Sequence, residues 1–238
     1  MRRGAYLFAF IACVLLLAII AITSVEVVAM DRSFYLSEYR KLDRAQYIDI
    51  SEDGLMEVTD NLLNYMSGSR ENLDMRQDIQ GKEREVFNQR EKEHMVDVRA
   101  LYGGVIFIRN AAVAVLAALL LCVILMARRD AARVLARAYL GALVAAVIVM
   151  SSLAVWVAID FSGFWIYFHE VFFTNDLWIL NPNTDIMINM FPQQFFFDCV
   201  SRIGVICAVS VAVLAVASSV VIIIGRHRRN MPVRGGRA

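Results

Sequence analysis

The chain has 238 residues, of which 59% are hydrophobic and only 20% are charged. This composition is too apolar for a water-soluble domain and is typical of a membrane protein. The formal net charge of +1 is uninformative about partners, because acidic residues crowd one long polar segment while the tail is almost wholly basic. We predict no nucleic-acid partner.

Four apolar runs are long enough to cross the hydrocarbon core of a bilayer, which takes about 20 residues. Because the hydrocarbon offers the backbone no hydrogen-bond partner, we predict that each run is a helix. The sequence therefore predicts an all-α membrane protein with four transmembrane helices. The predicted spans are residues 1–30, 101–127, 139–160 and 203–225.

The shortest segments beside these spans are basic. Arg2 and Arg3 lie at the start of the first span, before its apolar run, four arginines lie in the linker 128–138, and the tail 226–238 is basic. Since basic flanks stay in the cytoplasm, we predict a multi-pass protein with both termini in the cytoplasm. Segments 31–100 and 161–202 would then form an extracytoplasmic cap.

The first outer segment, 31–100, carries three local signals of folded structure. Ser51 can cap a helix that ends at the break formed by residues 67–69. Gln80, Gly81 and Lys82 predict the turn of one small β-hairpin. Asn88 and Glu91, three residues apart, resemble a capping box that opens the helix leading into the second span. We therefore expect short helices and one hairpin in the cap.

The second outer segment, 161–202, is unusually aromatic, as suits the boundary between membrane and water. Pro182 and Pro192 divide it into short pieces. The aromatic residues are Phe161, Phe164, Trp165, Tyr167, Phe168, Phe172, Phe173, Trp178, Phe191, Phe195, Phe196 and Phe197.

Two of the three histidines lie in the predicted cap, and His227 lies in the basic tail. On a helix, His94 would share a face with Glu91 and Asp97, so that a carboxylate could orient its imidazole. The alternative is a solvated, charged helix face. His169 lies among aromatic residues, which would favour the neutral imidazole and a base near pH 7. The alternative for His169 is a structural histidine bonded to a backbone carbonyl.

Other polar residues are weaker candidates. Asp176 and Asp185 lie among asparagines and prolines, where turn and capping roles explain most such residues. Arg109 interrupts the second span and could hold an anionic or developing negative oxygen. The sequence has no G-x-S-x-G, H-E-x-x-H or phosphate-loop motif, and the spans have no histidine pair for haem. We expect no metal and no cofactor.

Five short motifs occur in order along the chain. Together they resemble the bacterial lipoprotein intramolecular transacylase family, whose members are four-span membrane proteins. The motifs are E-K-E-H-M-V-D-V-R (91–99), F-H-E-V-F-F (168–173), N-D-x-W (175–178), N-P-x-x-D (181–185) and M-F-P-x-x-F-F-x-D (190–198).

The resemblance implies an acyltransferase of the bacterial cell membrane that acts on diacylglyceryl-modified lipoproteins and membrane lipid. Such an enzyme moves the sn-2 acyl chain to the α-amino group of the lipoprotein's N-terminal cysteine, which gives a lyso-form lipoprotein. The family's two functional histidines would fall on His94 and His169. The candidate supporting or orienting residues are Glu91, Asp97, Glu170, Asp176, Asp185 and Arg109.

Acyl transfer from an ester to an amine needs a base, donors for the tetrahedral oxyanion and an acid for the leaving oxygen. We expect His169 to act as the base and His94 to stabilise the oxyanion or protonate the leaving group, although the roles could be exchanged. Two other functions fit the sequence. One is a non-enzymatic scaffold or sensor with a lipid- or protein-binding outer domain, and the other is an acyltransferase or hydrolase acting on free phospholipid.

Overall fold

A computed structural model describes residues 2–230 of the chain. These residues form α-helices, one 3₁₀-helix and one antiparallel pair of strands. The elements in chain order are α1 (Arg2–Ala29), α2 (Arg32–Lys41), α3 (Arg44–Ile48), α4 (Glu52–Ser67), β1 (Arg76–Ile79), β2 (Lys82–Glu85), α5 (Gln89–Ala127), the 3₁₀-helix (Arg128–Asp130), α6 (Ala131–Ile159), α7 (Phe161–Phe172), α8 (Ile186–Met190) and α9 (Gln193–Asn230).

The chain divides into two compact units. The first unit contains the chain up to Ser24, residues Ile108–Ala154 and the chain from Gly204. The second unit contains Val25–Phe107 and Val155–Ile203. The long helices α1, α5, α6 and α9 each contribute to both units. Both histidines of the predicted site lie in the second unit.

Among the described residues, three helical runs are long and apolar enough to cross a membrane: Arg3–Ala29, Gln89–Ile159 and Gln193–His227. The second run has 71 residues. A straight helix of that length would be about 105 Å long, more than three times the thickness of a hydrocarbon core. Leu116 of α5 and Tyr139 of α6 nevertheless line one cavity, so the chain reverses direction at the 3₁₀-helix between them.

Small residues form the core of the first unit. Ala9 of α1 and Ala138 and Ala142 of α6 are almost fully buried in one cluster, which lets these helices approach closely. The hydroxyl of Tyr139 donates to the carbonyl of Val211 on α9 at 2.8 Å, which satisfies a polar group inside an apolar bundle.

The helices of the second unit begin and end at residues with clear capping roles. The carboxylate of Asp31 accepts from the backbone N–H groups at the start of α2, and Ser51 accepts from Gly54 at the start of α4. Gly68 ends α4 in a left-handed conformation with φ of 86°, which glycine adopts without strain. The buried hydroxyl groups of Tyr39 and Thr59 lie 2.9 Å apart and join α2 to α4.

The strands β1 and β2 form the predicted hairpin. Arg76 pairs with Glu85, and Ile79 pairs with Lys82 across a two-residue turn. Both turn residues, Gln80 and Gly81, have positive φ, as the tight turns that suit strand twist require.

The start of α5 is a complete capping box. The backbone N–H of Glu91 donates to the side chain of Asn88 at 3.1 Å, and the backbone N–H of Asn88 donates to the Glu91 carboxylate at 2.8 Å. The same carboxylate accepts from the backbone N–H of Met187 at 2.7 Å, so Glu91 also joins α5 to α8. This position fixes the helix that carries His94.

The structure confirms a largely helical membrane protein with short helices and one hairpin. The helix capped by Ser51, the Gln80–Gly81 turn and the Asn88–Glu91 capping box all occur where the sequence predicted them. The linker 128–138 differs from a simple loop, because α6 already begins at Ala131. No glycine or proline interrupts the helix between Ala131 and residue 138. Of the tail 226–238, residues 231–238 lie outside the described part of the chain.

Candidate active site

Two histidines from distant parts of the chain face each other in the second unit. His94 lies in the second turn of α5, and His169 lies near the end of α7. Their ring centroids are 6.2 Å apart, and only 8% of His94 and 7% of His169 is exposed. Phe173 packs against both rings, at 5.3 Å from His94 and 5.6 Å from His169. The fold therefore brings the imidazoles of α5 and α7 next to each other.

His169 has a defined tautomer and orientation. Its Nδ1 lies 2.7 Å from the carbonyl oxygen of Trp165, one turn earlier on α7. Because a carbonyl oxygen only accepts, Nδ1 must carry the hydrogen and donate it, which leaves Nε2 with its lone pair. Trp165 approaches the ring at 74°, and Trp178 stacks on it at 4.8 Å with 28° between the planes. The bond to Trp165 thus holds His169 in the form that can accept a proton at Nε2.

His94 carries a buried polar atom that has no partner among the described residues. Its Nδ1 makes no hydrogen bond among the described residues and is inaccessible to solvent. An unsatisfied buried polar group costs on the order of 1–3 kcal/mol, so such groups are often explained by a ligand or a catalytic role. We therefore consider His94 a candidate for direct contact with substrate.

Burial makes both imidazoles neutral near pH 7. Both histidines lie outside the predicted spans. His94 precedes the second span, which begins at residue 101, and His169 follows the third span, which ends at residue 160. Desolvation, together with the nearby His169, lowers the pKa of His94 to about 4. Desolvation also lowers the pKa of His169, although its bond to the Trp165 carbonyl opposes the shift. Neutral imidazoles can act as bases or as hydrogen-bond donors at physiological pH.

The two carboxylates at helical spacing from His94 bond to other groups. Glu91 is fully buried and accepts from the backbone of Asn88 and Met187, as described above. Burial raises its pKa to about 7, although these backbone donors oppose the shift. Asp97 accepts from the side-chain amide of Asn175 at 2.8 Å. The Glu91 carboxylate therefore joins α5 to α8, and the Asp97 carboxylate joins α5 to the loop that contains Asn175.

Asp185 also has a structural environment. It is buried and accepts from the side chains of Asn88 and Thr184 and from the backbone N–H of Asn181. Burial opposes ionisation, but the hydrogen bonds from these three residues hold the pKa of Asp185 below its usual value. Asp185 thus fixes the start of α8 next to the start of α5.

The remaining candidates are exposed or lie in the other unit. Asp176 is exposed and pairs with Arg90 at 3.4 Å. Glu170 is exposed on α7 next to His169 in the chain. Arg109 belongs to the first unit, where its guanidinium donates to the side chain of Asn110 at 3.0 Å.

The sequence did not single out the residue that stacks on His169 or the residue that holds the loop of that stacking residue. Trp178 was one of many aromatic residues expected at the membrane boundary, and Asn175 was explained as a turn residue. In the structure Trp178 stacks on His169, and Asn175 joins the Trp178 loop to α5. The N-D-x-W motif holds both residues and was the only signal available.

Comparison with known proteins gives the family. The model of the family described as lipoprotein intramolecular transacylase Lit matches residues 9–196, which is well over half of the chain and includes both histidines. The chain belongs to the lipoprotein intramolecular transacylase family. It is therefore a membrane enzyme, a transacylase of lipoprotein maturation, and the resemblance seen in the sequence motifs is confirmed.

Solved structures support the same fold. The in meso structure of the membrane integral lipoprotein intramolecular transacylase Lit from Bacillus cereus has a TM-score of 0.74 and 18% identity. The match covers 95% of this chain and 98% of that one. A variant of that protein with one histidine replaced by alanine has a TM-score of 0.71 and 17% identity, over 95% of this chain and 96% of that one. A search of the curated proteins found no match.

Membership of this family favours a transacylase over the scaffold or sensor alternative, because the family is described as a lipoprotein intramolecular transacylase. The arrangement of the two histidines agrees with an enzyme, since buried rings 6.2 Å apart come from separate segments.

The contacts of Glu91 predict a mainly structural role for its carboxylate. In Glu91→Ala, the backbone N–H groups of Asn88 and Met187 lose their acceptor, at a cost of about 1–3 kcal/mol for each donor left buried. We expect the midpoint of thermal unfolding in detergent to fall, with a smaller fall for Glu91→Gln, which keeps one acceptor. Glu93→Ala is the control, because Glu93 is exposed on the same helix. Loss of activity at unchanged stability would instead assign Glu91 a chemical role.

Proposed function

We propose that this enzyme transfers the sn-2 acyl chain of a diacylglyceryl-modified lipoprotein to the α-amino group of the lipoprotein's own N-terminal cysteine. A C–N bond forms at the ester carbonyl carbon, and the C–O bond to the glycerol breaks. The amine loses a proton and the glycerol oxygen gains one, so the product is a lyso-form lipoprotein. The observation that carries the proposal is the pair of buried imidazoles contributed by α5 and α7.

His169 is the better candidate for the base. Its Nδ1–H is committed to the Trp165 carbonyl, so Nε2 is the atom that can take the proton from the amine. Its lowered pKa keeps it unprotonated near pH 7, as a base must be before the reaction begins.

His94 is the better candidate for the donor. A neutral imidazole carries one N–H, which can bond to the oxyanion of the tetrahedral intermediate or deliver a proton to the glycerol oxygen. Because His94 Nδ1 has no partner among the described residues, this ring can use both nitrogens without breaking an existing bond at Nδ1. The two histidines then divide proton removal and oxygen stabilisation between them.

No covalent acyl-enzyme is needed for this reaction. The amine and the ester belong to one molecule, and well-aligned intramolecular reactions gain on the order of 7–11 kcal/mol over separate reactants. The protein's task is to hold both groups next to the imidazoles and to manage the protons.

We also propose four membrane spans with both termini in the cytoplasm. The reversal between α5 and α6 divides the 71-residue run into two lengths that can each cross the bilayer. With α1 and α9 this makes four crossings, and the arginines beside them assign the cytoplasmic side. The segment that carries the hairpin, and both histidines, would then be extracytoplasmic.

The histidine assignment predicts a loss of product in single variants. His94→Ala and His169→Ala should each slow lyso-form production by about 10²- to 10⁴-fold, the usual contribution of a positioned acid or base. The test follows the lipid-bearing N-terminal peptide of a diacylglyceryl lipoprotein by mass spectrometry. His227→Ala is the matched control, because His227 is exposed at the end of α9. Wild-type rates in both active-site variants would refute the assignment, and release of lysophospholipid from free phospholipid would support the phospholipid alternative.

The topology predicts which engineered cysteines can be labelled from outside the cell. In a variant without native cysteines, Gln80→Cys at the hairpin tip should react with a membrane-impermeant maleimide in intact cells. Arg129→Cys, between α5 and α6, should react only after the membrane is opened. The reverse labelling pattern would contradict the proposed orientation.

A further inference from the structure

The loop that carries Trp178 is tied to the helix that carries His94. The side-chain amide of Asn175 donates to the Asp97 carboxylate at 2.8 Å, and Asp97 lies three residues after His94 on α5. The guanidinium of Arg90, also on α5, donates to the backbone carbonyls of Asp176 and Ile179. Bonds from one helix therefore hold the loop near both ends.

Within this loop, Trp178 is fixed in position over His169. Its indole Nε1–H donates to the carbonyl of Asn175 at 3.0 Å, which limits rotation of the ring. The two rings stack with centroids 4.8 Å apart and planes at 28°. Trp165 and Phe168 approach His169 at 74° and 83°, so Trp178 presents the most nearly parallel face among these three.

The face of an aromatic ring carries negative potential and attracts a cation, and tryptophan does so most strongly. Neutral His169 gains a positive charge when it takes a proton from the substrate amine. A stacked indole therefore interacts more strongly with the histidine after proton transfer than before it. An interaction that strengthens as the reaction proceeds increases the rate.

We propose that Trp178, held by the Asn175–Asp97 bond, stabilises the imidazolium that forms on His169 during acyl transfer. Trp178 is then a positioning and electrostatic residue that acts through His169, and Asn175 is a positioning residue that acts through Trp178. The catalytic part of this inference depends on the proposed role of His169 as the base. The effect of Trp178 on the charge of His169 can be measured without any substrate.

Several groups on the elements around His169 can carry charge. The titratable and charged residues on its own helix, in the first three turns of α5 and in the adjoining loop are Tyr167, Glu170, Arg90, Glu91, Lys92, Glu93, His94, Asp97, Arg99, Asp176 and Asp185. All of them stay unchanged in the Trp178 variants, so a difference in the titration of His169 between wild type and variant reports on the indole.

The direct test is an NMR titration of the protein labelled at histidine. The chain has only three histidines, and His94→Ala and His227→Ala assign the signals. Trp178→Phe keeps an aromatic cover with a weaker face, and Trp178→Leu removes the aromatic face. Trp156→Phe is the matched control, because Trp156 packs against Phe164 and Tyr167.

We expect the pKa of His169 to fall further in Trp178→Leu, by about 0.4 to 1.5 pH units, with a smaller fall in Trp178→Phe. Transfer at saturating substrate should slow by about 2- to 30-fold in Trp178→Leu. An unchanged pKa, or a rise toward 6.5 as water enters, would overturn the inference. If the wild type forms no lyso product while the pKa still falls, the proposed function fails and the charge effect of Trp178 stands.

Exchanging the two residues of the loop bond tests the positioning role. Asn175→Asp alone places two carboxylates together and should slow transfer, because the loop is repelled from α5. The double variant Asp97→Asn, Asn175→Asp restores an amide–carboxylate bond with donor and acceptor exchanged. We expect it to recover most of the rate and the wild-type titration of His169. A double variant as impaired as the single one would contradict the positioning role.

Discussion

The proposed chemistry depends on the removal of two imidazoles from water. An exposed histidine is partly protonated near neutral pH, and a protonated ring cannot accept a proton from an amine. Burial away from water disfavours the charged form of His94 and His169, so both histidines stay neutral. Once both are neutral, one ring can act as the base while the other donates a hydrogen bond, without any further ionisable group.

The same desolvation creates a difficulty that the surrounding structure addresses. A base in an apolar enclosure must become charged during the reaction, and charge is costly in such surroundings. The carbonyl of Trp165 bonds to the Nδ1–H of His169, and this bond strengthens when the ring becomes cationic. The stacked face of Trp178 acts in the same direction. The enclosure thus favours the neutral ring at rest while still accommodating the charged one.

The first turns of α5 organise most of this arrangement. Asn88 and Glu91 cap the helix and connect it to α8, His94 enters the site, and Asp97 holds the Trp178 loop. Because these residues lie on one helix, a shift of α5 would displace the imidazole and its supporting contacts together. This explains how a site built from short segments can hold the geometry that an aligned reaction requires.

Much of this could be predicted from sequence because the relevant signals are local. The capping box at Asn88 and Glu91, the turn at Gln80 and Gly81, and the helix capped by Ser51 follow from residue types at fixed spacing. The membrane helices could also be predicted, because a long apolar run is a local feature of the sequence.

Contacts between distant segments could not be predicted in this way. Helical spacing predicted that Glu91 or Asp97 could orient His94. In the structure, the Glu91 carboxylate accepts a hydrogen bond from the backbone N–H of Met187, and the Asp97 carboxylate accepts one from the side chain of Asn175. These partners lie 96 and 78 residues away in the chain, and no local pattern records such pairings. The stacking of Trp178 on His169 was hidden for a related reason, since a segment rich in aromatic residues gives no indication of which ring meets the histidine.

The most direct test of transfer within one molecule is an isotope crossover experiment. One lipopeptide carries a deuterated sn-2 chain, a second lipopeptide of different mass carries an ordinary chain, and the enzyme acts on the mixture. If the amine attacks the ester of its own molecule next to the histidine pair, mass spectrometry will find each acyl chain on its original peptide. Deuterated chains on the second peptide would contradict that mechanism, because they require an acyl-enzyme or transfer between molecules.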